Sequence, residues 1–207
     1  MTVPASTIQS LLQPYCRDVP LEVCGKIQLY MDLLSVWGNK IALTTITNDE
    51  DVVRFHFGES IFALSLDGSE HGRLADVGSG AGFPGLAIKL LCPNLRVTLL
   101  EPNKKKCAFL NEVTRKLELS GVDVISVGFE GSQIRPSVLQ FVTARALGRI
   151  DDLLSWSRNT LSGEGRVILW LGAEDAERTT RIPDWHWIQS AIPHTARRKI
   201  IVGTPQN

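Results

Sequence analysis

The sequence predicts an α/β protein: a doubly wound, mostly parallel sheet of seven strands behind an N-terminal helical extension. Three observations carry this. From residue 73 onward, short apolar runs alternate with helical stretches, the pattern of parallel strands joined by crossover helices. A glycine-rich turn, 76–85, stands between the first such run and a helix. The chain has 207 residues, 43% hydrophobic and 21% charged, which suits one globular domain with a sizeable core. That composition excludes a disordered chain and a small disulfide scaffold.

Residues 5–36 predict two helices. Ile8, Leu11, Leu12 and Tyr15 recur at helical spacing, and Val23, Ile27, Tyr30, Met31 and Leu34 repeat the stripe. Pro14 and Pro20 bracket the break between them. Gly38, Asn39, Asn48 and the acidic run 49–51 predict a loop over 37–51. Residues 52–66 are apolar and read as helix. Strands are expected at 74–77, 97–100, 122–127, 141–144 and 167–171, with 185–188 and 199–202 supplying two more. A helix over 84–91 opens on Pro84, whose missing N–H costs nothing there. A second, over 103–119, is capped by Asn103. A third, over 150–161, carries Asp151 and Asp152 near its positive end. The chain 1–207 reads as one domain, with 1–50 as the extension and 51–207 as the core.

Formal net charge is zero, which excludes a protein that grips polyanions with its whole surface. The total hides an asymmetry. Residues 1–72 hold 4 basic and 9 acidic residues, whereas residues 73–207 hold 18 and 13. Basic clusters at 104–106, 115–116 and 197–199 leave room for one phosphate-facing surface. No apolar run approaches the ~18 residues of a membrane span. The N-terminus shows neither a basic n-region nor an apolar h-region, so no secretory leader is expected. Cys16, Cys24, Cys92 and Cys107 form no Cys-x-x-Cys pair and have no His at ligand spacing. Free thiols, no metal site and a reducing cytoplasm are the expectation.

The strongest chemical signal is Asp76-Val-Gly-Ser-Gly-Ala-Gly-Phe-Pro-Gly85. Gly78, Gly80 and Gly82 let the backbone turn tightly and lie against a ligand. The helix behind presents free N–H groups and a positive end. Two nucleotide chemistries fit. Gly80-x-Gly82-x-x-Gly85 satisfies the dinucleotide pattern, and Glu101 lies 21 residues after Gly80, so a NAD-binding Rossmann oxidoreductase is one reading. Asp76, just before the first glycine, points to the other. A carboxylate there suits the ammonium of a methionine-type ligand better than a pyrophosphate, the arrangement of Rossmann-like S-adenosylmethionine (SAM) methyltransferases. Glu101 ends the second strand, where a carboxylate can accept both ribose hydroxyls. Phe129 and Glu130 follow the third strand, at a position that faces an adenine.

These residues, with Leu99-Leu-Glu-Pro-Asn-Lys-Lys-Lys-Cys-Ala-Phe-Leu110 and Ala144-Arg145-Ala146, resemble the RsmG (GidB) family. Its members are SAM-dependent methyltransferases acting on N7 of a guanine in bacterial small-subunit (16S) ribosomal RNA. The Gly-Phe-Pro-Gly ending separates it from the broad methyltransferase pattern. Trp37-Gly-Asn-Lys-Ile-Ala-Leu-Thr44 and His56-Phe-Gly-Glu-Ser-Ile61 extend the resemblance over roughly the whole chain. It implies SAM contacts at Gly78, Phe83, Phe129, Glu130 and Arg145, and basic substrate contacts at Lys105, Lys106 and Arg198. His56 is a candidate to face the same pocket. The chain departs from the family pattern at Ala42, Glu59, Gly128, Ala144 and Leu171. A SAM methyltransferase for another RNA or a small molecule therefore stays open, as does a non-catalytic ribosome-assembly factor.

Guanine N7 carries an in-plane lone pair, so its methylation needs no general base and catalysis reduces to alignment. The chain shows no Asn-Pro-Pro-Tyr for exocyclic amines and no Pro-Cys for pyrimidine C5. N7 faces a major groove too deep and narrow for side chains in RNA, so the target guanine must lie in a loop or be extruded. Arg145 is the candidate catalytic positioning residue, either holding the SAM carboxylate or contacting guanine O6. The expected protein is a cytoplasmic monomer whose partner is small-subunit ribosomal RNA or the ribosomal subunit, with no membrane and no metal.

Overall fold

The computed structural model describes residues 3–67 and 71–206. Met1 and Thr2, part of the N-terminal reading above, lie outside the described residues. The strands are β1 (Arg73–Val77), β2 (Arg96–Leu100), β3 (Val122–Ile125), β4 (Leu139–Arg145), β5 (Leu161–Gly172), β6 (Trp185–Ala191) and β7 (Arg198–Pro205). They form one sheet in the order β3-β2-β1-β4-β5-β7-β6. Neighbours from β3 to β5 pair in parallel, and β7 inserts antiparallel between β5 and β6. The mostly parallel seven-stranded sheet expected from the alternation is therefore present.

The helices are α1 (Ala5–Leu12), α2 (Leu21–Gly38), α3 (Asp49–Val52), α4 (Glu59–Ile61), α5 (Leu64–Asp67), α6 (Gly85–Leu91), α7 (Lys104–Lys116), α8 (Ile150–Thr160) and α9 (Ala173–Thr179). Two depart from expectation. The loop over 37–51 ends early, because the Asn48 side chain accepts from the Asp51 N–H and opens α3. Its three acids then lie at the positive end of a helix. A π segment, Val53–Gly58, separates α3 from α4. A wider turn of that kind breaks the 3.6-residue period and leaves no trace in a periodicity reading. The unanticipated α9 buries only Ala176 and Thr179, so it has no apolar stripe to read.

The sheet is buried on both faces, which is why its strands read as continuous apolar runs. Leu74, Leu99, Phe141, Trp170 and Ile200 face one core, together with Ile8, Leu12, Tyr30, Leu86 and Phe109. Ala75, Val77, Leu100, Ala144 and Leu169 face the other, with Leu153, Leu154 and Phe129. The N-terminal helices thus share a core with the sheet. Tyr30 is its hinge pin: fully buried, it donates through Oη to the Ala81 carbonyl at 2.6 Å and stacks on Phe83. One N-terminal helix is thereby tied to the glycine turn.

Candidate active site

Strand order runs outward from β1 on one side and from β4 on the other, so a crevice opens beyond their carboxyl ends. The glycine turn lines it. Gly78, Gly80 and Gly82 have φ of +69°, +57° and +88°, a region that penalises any side chain. A Cβ on Gly82 would collide with the Tyr30 hydroxyl and lie 2.9 Å from Leu86 Cδ1. Glu101 secures the turn: Gly80 N–H donates to its Oε2 at 2.8 Å and Asn103 N–H to its Oε1 at 2.9 Å. Each oxygen keeps a second lone pair for a ligand hydroxyl.

Asp76 is fully buried behind the turn, under the start of α6, where a Cβ on Gly85 would approach its carboxylate to 2.8 Å. Its Oδ1 accepts from the Thr143 hydroxyl at 2.7 Å, while Oδ2 is buried without a partner among the described residues. Burial pushes its pKa up to about 6, opposed in part by the Thr143 hydroxyl, which favours the charged form. The orphan oxygen, the free lone pairs of Glu101 and the side-chain-free turn fit a ligand carrying an ammonium and a ribose diol. Phe129 is buried edge-on to Trp156, and exposed Glu130 beside it ion-pairs with Arg149, whose guanidinium lies over the Phe129 ring.

A second group lies across Phe83. Glu59 in α4 is completely buried. Its Oε1 accepts from Arg198 Nη2 at 2.5 Å and Nε at 3.2 Å, and its Oε2 lies 3.5 Å from Arg145 Nη2. Arg145 Nη1 also donates to the Phe55 carbonyl at 2.9 Å, and the Arg198 guanidinium lies over the Phe55 ring. The Trp170 indole N–H, from β5, donates to the Glu59 carbonyl at 2.8 Å and pins α4 to the sheet. His56, in the π segment, stacks on Phe83 with ring centroids 4.7 Å apart. Its Nε2 is 2.6 Å from Thr44 Oγ1, and Nδ1 is buried with no partner among the described residues. Burial, then Arg145 and Arg198, push its pKa down to about 3, so the imidazole is neutral. One carboxylate against two guanidiniums leaves the cluster with one net positive charge, an environment that favours an anion.

The fold thus brings Asp76, Gly78, Gly80, Gly82, Phe83 and Glu101 together, and joins His56, Arg145 and Arg198 in the neighbouring cluster. Lys105 and Lys106 stand apart on the first turn of α7, whose N-cap Asn103 accepts from both their amides. Leu171, at a position of departure, is buried in the core of the opposite face. Glu59, Thr44, Tyr30 and Arg149 were not anticipated as site residues. Glu59 had a signal: it is an acid inside an apolar helical run, where an unpaired charge is not tolerated.

Turn, orphan acceptors and sheet order define a SAM-dependent methyltransferase with a Rossmann-like fold. Solved structures share that fold at low identity. A candidate S-adenosyl-L-methionine-dependent methyltransferase from Methanococcus maripaludis superposes with a TM-score of 0.66 at 10% identity, over 92% of this chain and 96% of that one. TYW2 from M. jannaschii in complex with AdoMet gives 0.58 at 13% identity, over 80% and 77%. The sequence model of the GidB family, rRNA small subunit methyltransferase G, matches residues 23–197, and the chain belongs to that family. Ribosomal RNA small subunit methyltransferase G of Xylella fastidiosa (strain M23) is 36% identical over 163 residues, 79% of this chain and 75% of the relative. The protein of the same name from Syntrophotalea carbinolica is 32% identical over 193 residues, 90% and 88% of the two chains. The dinucleotide oxidoreductase reading falls with this membership.

Proposed function

We propose that the protein transfers a methyl group from SAM to N7 of a guanine in small-subunit (16S) ribosomal RNA. The observation that carries this is the junction at Phe83. A cradle suited to SAM lies on one side, and a net-positive cluster around buried Glu59, without a competent base, lies on the other. SAM supplies an electrophilic methyl on a sulfonium. Glu101 holds the ribose, Asp76 answers the ammonium, and Phe129 and Glu130 flank the adenine. A histidine with a pKa near 3 cannot usefully take a proton at neutral pH, and N7, with its free lone pair, asks for none. What remains for the protein is to hold N7, methyl and sulfur in line. Arg145 takes this role, supported by the part of its guanidinium fork that Phe55 and Glu59 leave unused. Lys105, Lys106 and Arg198 supply phosphate contacts, and the protein works as a cytoplasmic monomer.

The test is transfer of labelled methyl from SAM to 16S ribosomal RNA and to small subunits, followed by nucleoside mapping. Label is expected in 7-methylguanosine, and Arg145→Ala should lower transfer by about 100-fold, the cost of lost alignment. Label confined to another nucleoside, to protein or to small molecules would reject the reading.

A further inference from the structure

We propose that Arg73, Arg96 and Arg135 form a second RNA contact, a phosphate-binding patch at the amino end of the sheet, away from the methyl-transfer crevice. The proposal rests on the RNA substrate argued above. Arg73 opens β1 and Arg96 opens β2, and the two are direct register partners. Adjacent strands lie ~4.8 Å apart, so two like charges are held side by side at a cost to the fold. Arg135, from the segment after β3, faces the same concavity of about 210 Å³, which Thr98, Gln133 and Asp123 also line. Asp123 is the one carboxylate in that lining.

Four of the protein's other surface arginines are held in ion pairs. Arg54, Arg115, Arg149 and Arg178 each pair with an acid three or four residues away. Arg73, Arg96 and Arg135 make no such pair among the described residues. Three guanidinium forks around one hollow match phosphate oxygens in geometry as well as charge. The patch and the glycine turn lie at opposite ends of β1, on the order of 13–17 Å apart for a five-residue strand. A polymer that threads a guanine into the crevice can lay its backbone against the far patch, which a single small anion cannot do.

The experiment compares the full chain with R73Q/R96Q/R135Q and with R73K/R96K/R135K. Binding to 16S ribosomal RNA is measured across a salt series, beside SAM affinity and thermal unfolding. Loss of three phosphate contacts should weaken RNA binding roughly tenfold at moderate salt and flatten the log–log salt slope by about 2. The lysine variant should recover most of the affinity. SAM affinity should not change, and the glutamine variant should melt no lower than the parent, since a repulsion has been removed. Unchanged RNA affinity and slope would overturn the patch, as would equal affinity for polyglutamate and RNA. The parent reading fails separately: a wild-type chain that binds RNA through the patch yet transfers no methyl to it sinks the proposed function alone.

Discussion

The cofactor cradle and the charge cluster around Glu59 meet at Phe83 but are built differently. The cradle is the more local of the two, although Thr143 reaches Asp76 and Tyr30 reaches Ala81 from farther along the chain. Glu101 reaches Gly80 across 21 residues, and the turn needs little beyond positive φ and absent side chains. The cluster is remote. Arg145 reaches Phe55 across 90 residues, Trp170 reaches Glu59 across 111, and Arg198 reaches Glu59 across 139. One half offers a side-chain-free turn flanked by the Asp76 and Glu101 carboxylates. The other selects through a net charge that exists only when three distant segments close.

The largest effect should come from the cluster. Glu59→Ala leaves the mostly buried Arg145 and the part-exposed Arg198 without their carboxylate. Loss of one partner from a fully buried pair costs about 3–5 kcal/mol, and the exposure of Arg198 places the expected loss at about 2–3 kcal/mol. Urea unfolding should show it, with SAM binding retained in whatever fraction still folds. A loss below about 1 kcal/mol would mean that the cluster is solvated and the contrast between the halves is overstated.

The two halves should also respond to pH in opposite directions. Asp76 has a folded pKa of about 6 against 3.8 unfolded, so the folded state holds its proton longer. Its contribution is favourable at low pH and declines by about 3 kcal/mol as pH rises from roughly 4 to 6. His56 has a folded pKa of about 3 against 6.5 unfolded, so its contribution is present above 6.5 and is lost as pH falls toward 3. Relative to wild type, Asp76→Asn should gain stability as pH rises from 4 to 6. His56→Gln should gain as pH falls below 6.5. Unfolding curves at three pH values for each variant decide both, and parallel shifts independent of pH would break the assignment.

Gly82→Ala tests the cradle. A side chain at φ +88°, pressed against Tyr30 and Leu86, should cost about 2 kcal/mol. SAM affinity by calorimetry should fall together with stability, because the same turn is the floor of the site. The smallest effect belongs to the exposed lysines. Lys105→Ala with Lys106→Ala removes positive charge from a helix N-terminus, so stability should rise by a few tenths of a kcal/mol while RNA affinity drops. A stability loss above about 1 kcal/mol would give these lysines a structural role.

Much of the fold was legible because it obeys short-range rules. Alternating runs located all seven strands, and Asn103 marked the start of α7 through its own capping bonds. The π segment was not legible, because one extra residue in a turn leaves composition unchanged. Neither was α9, whose surface position needs no apolar stripe. At the site, the glycines, Asp76 and Glu101 could be read from spacing. The family resemblance indicated Arg145 and Arg198 singly, and neither could be tied to Glu59. Arg149 could not be foreseen as the partner of Glu130, since 19 residues and a strand separate them.

Residue order alone was enough for a parallel sheet carrying a ligand-ready turn, because side-chain alternation and glycine φ are properties of the local backbone. It could not decide which acid would neutralise which arginine, nor that one positive charge would remain. That depends on β4, β7 and α4 arriving at one place, and an ion pair forms with whatever the packed chain brings within reach.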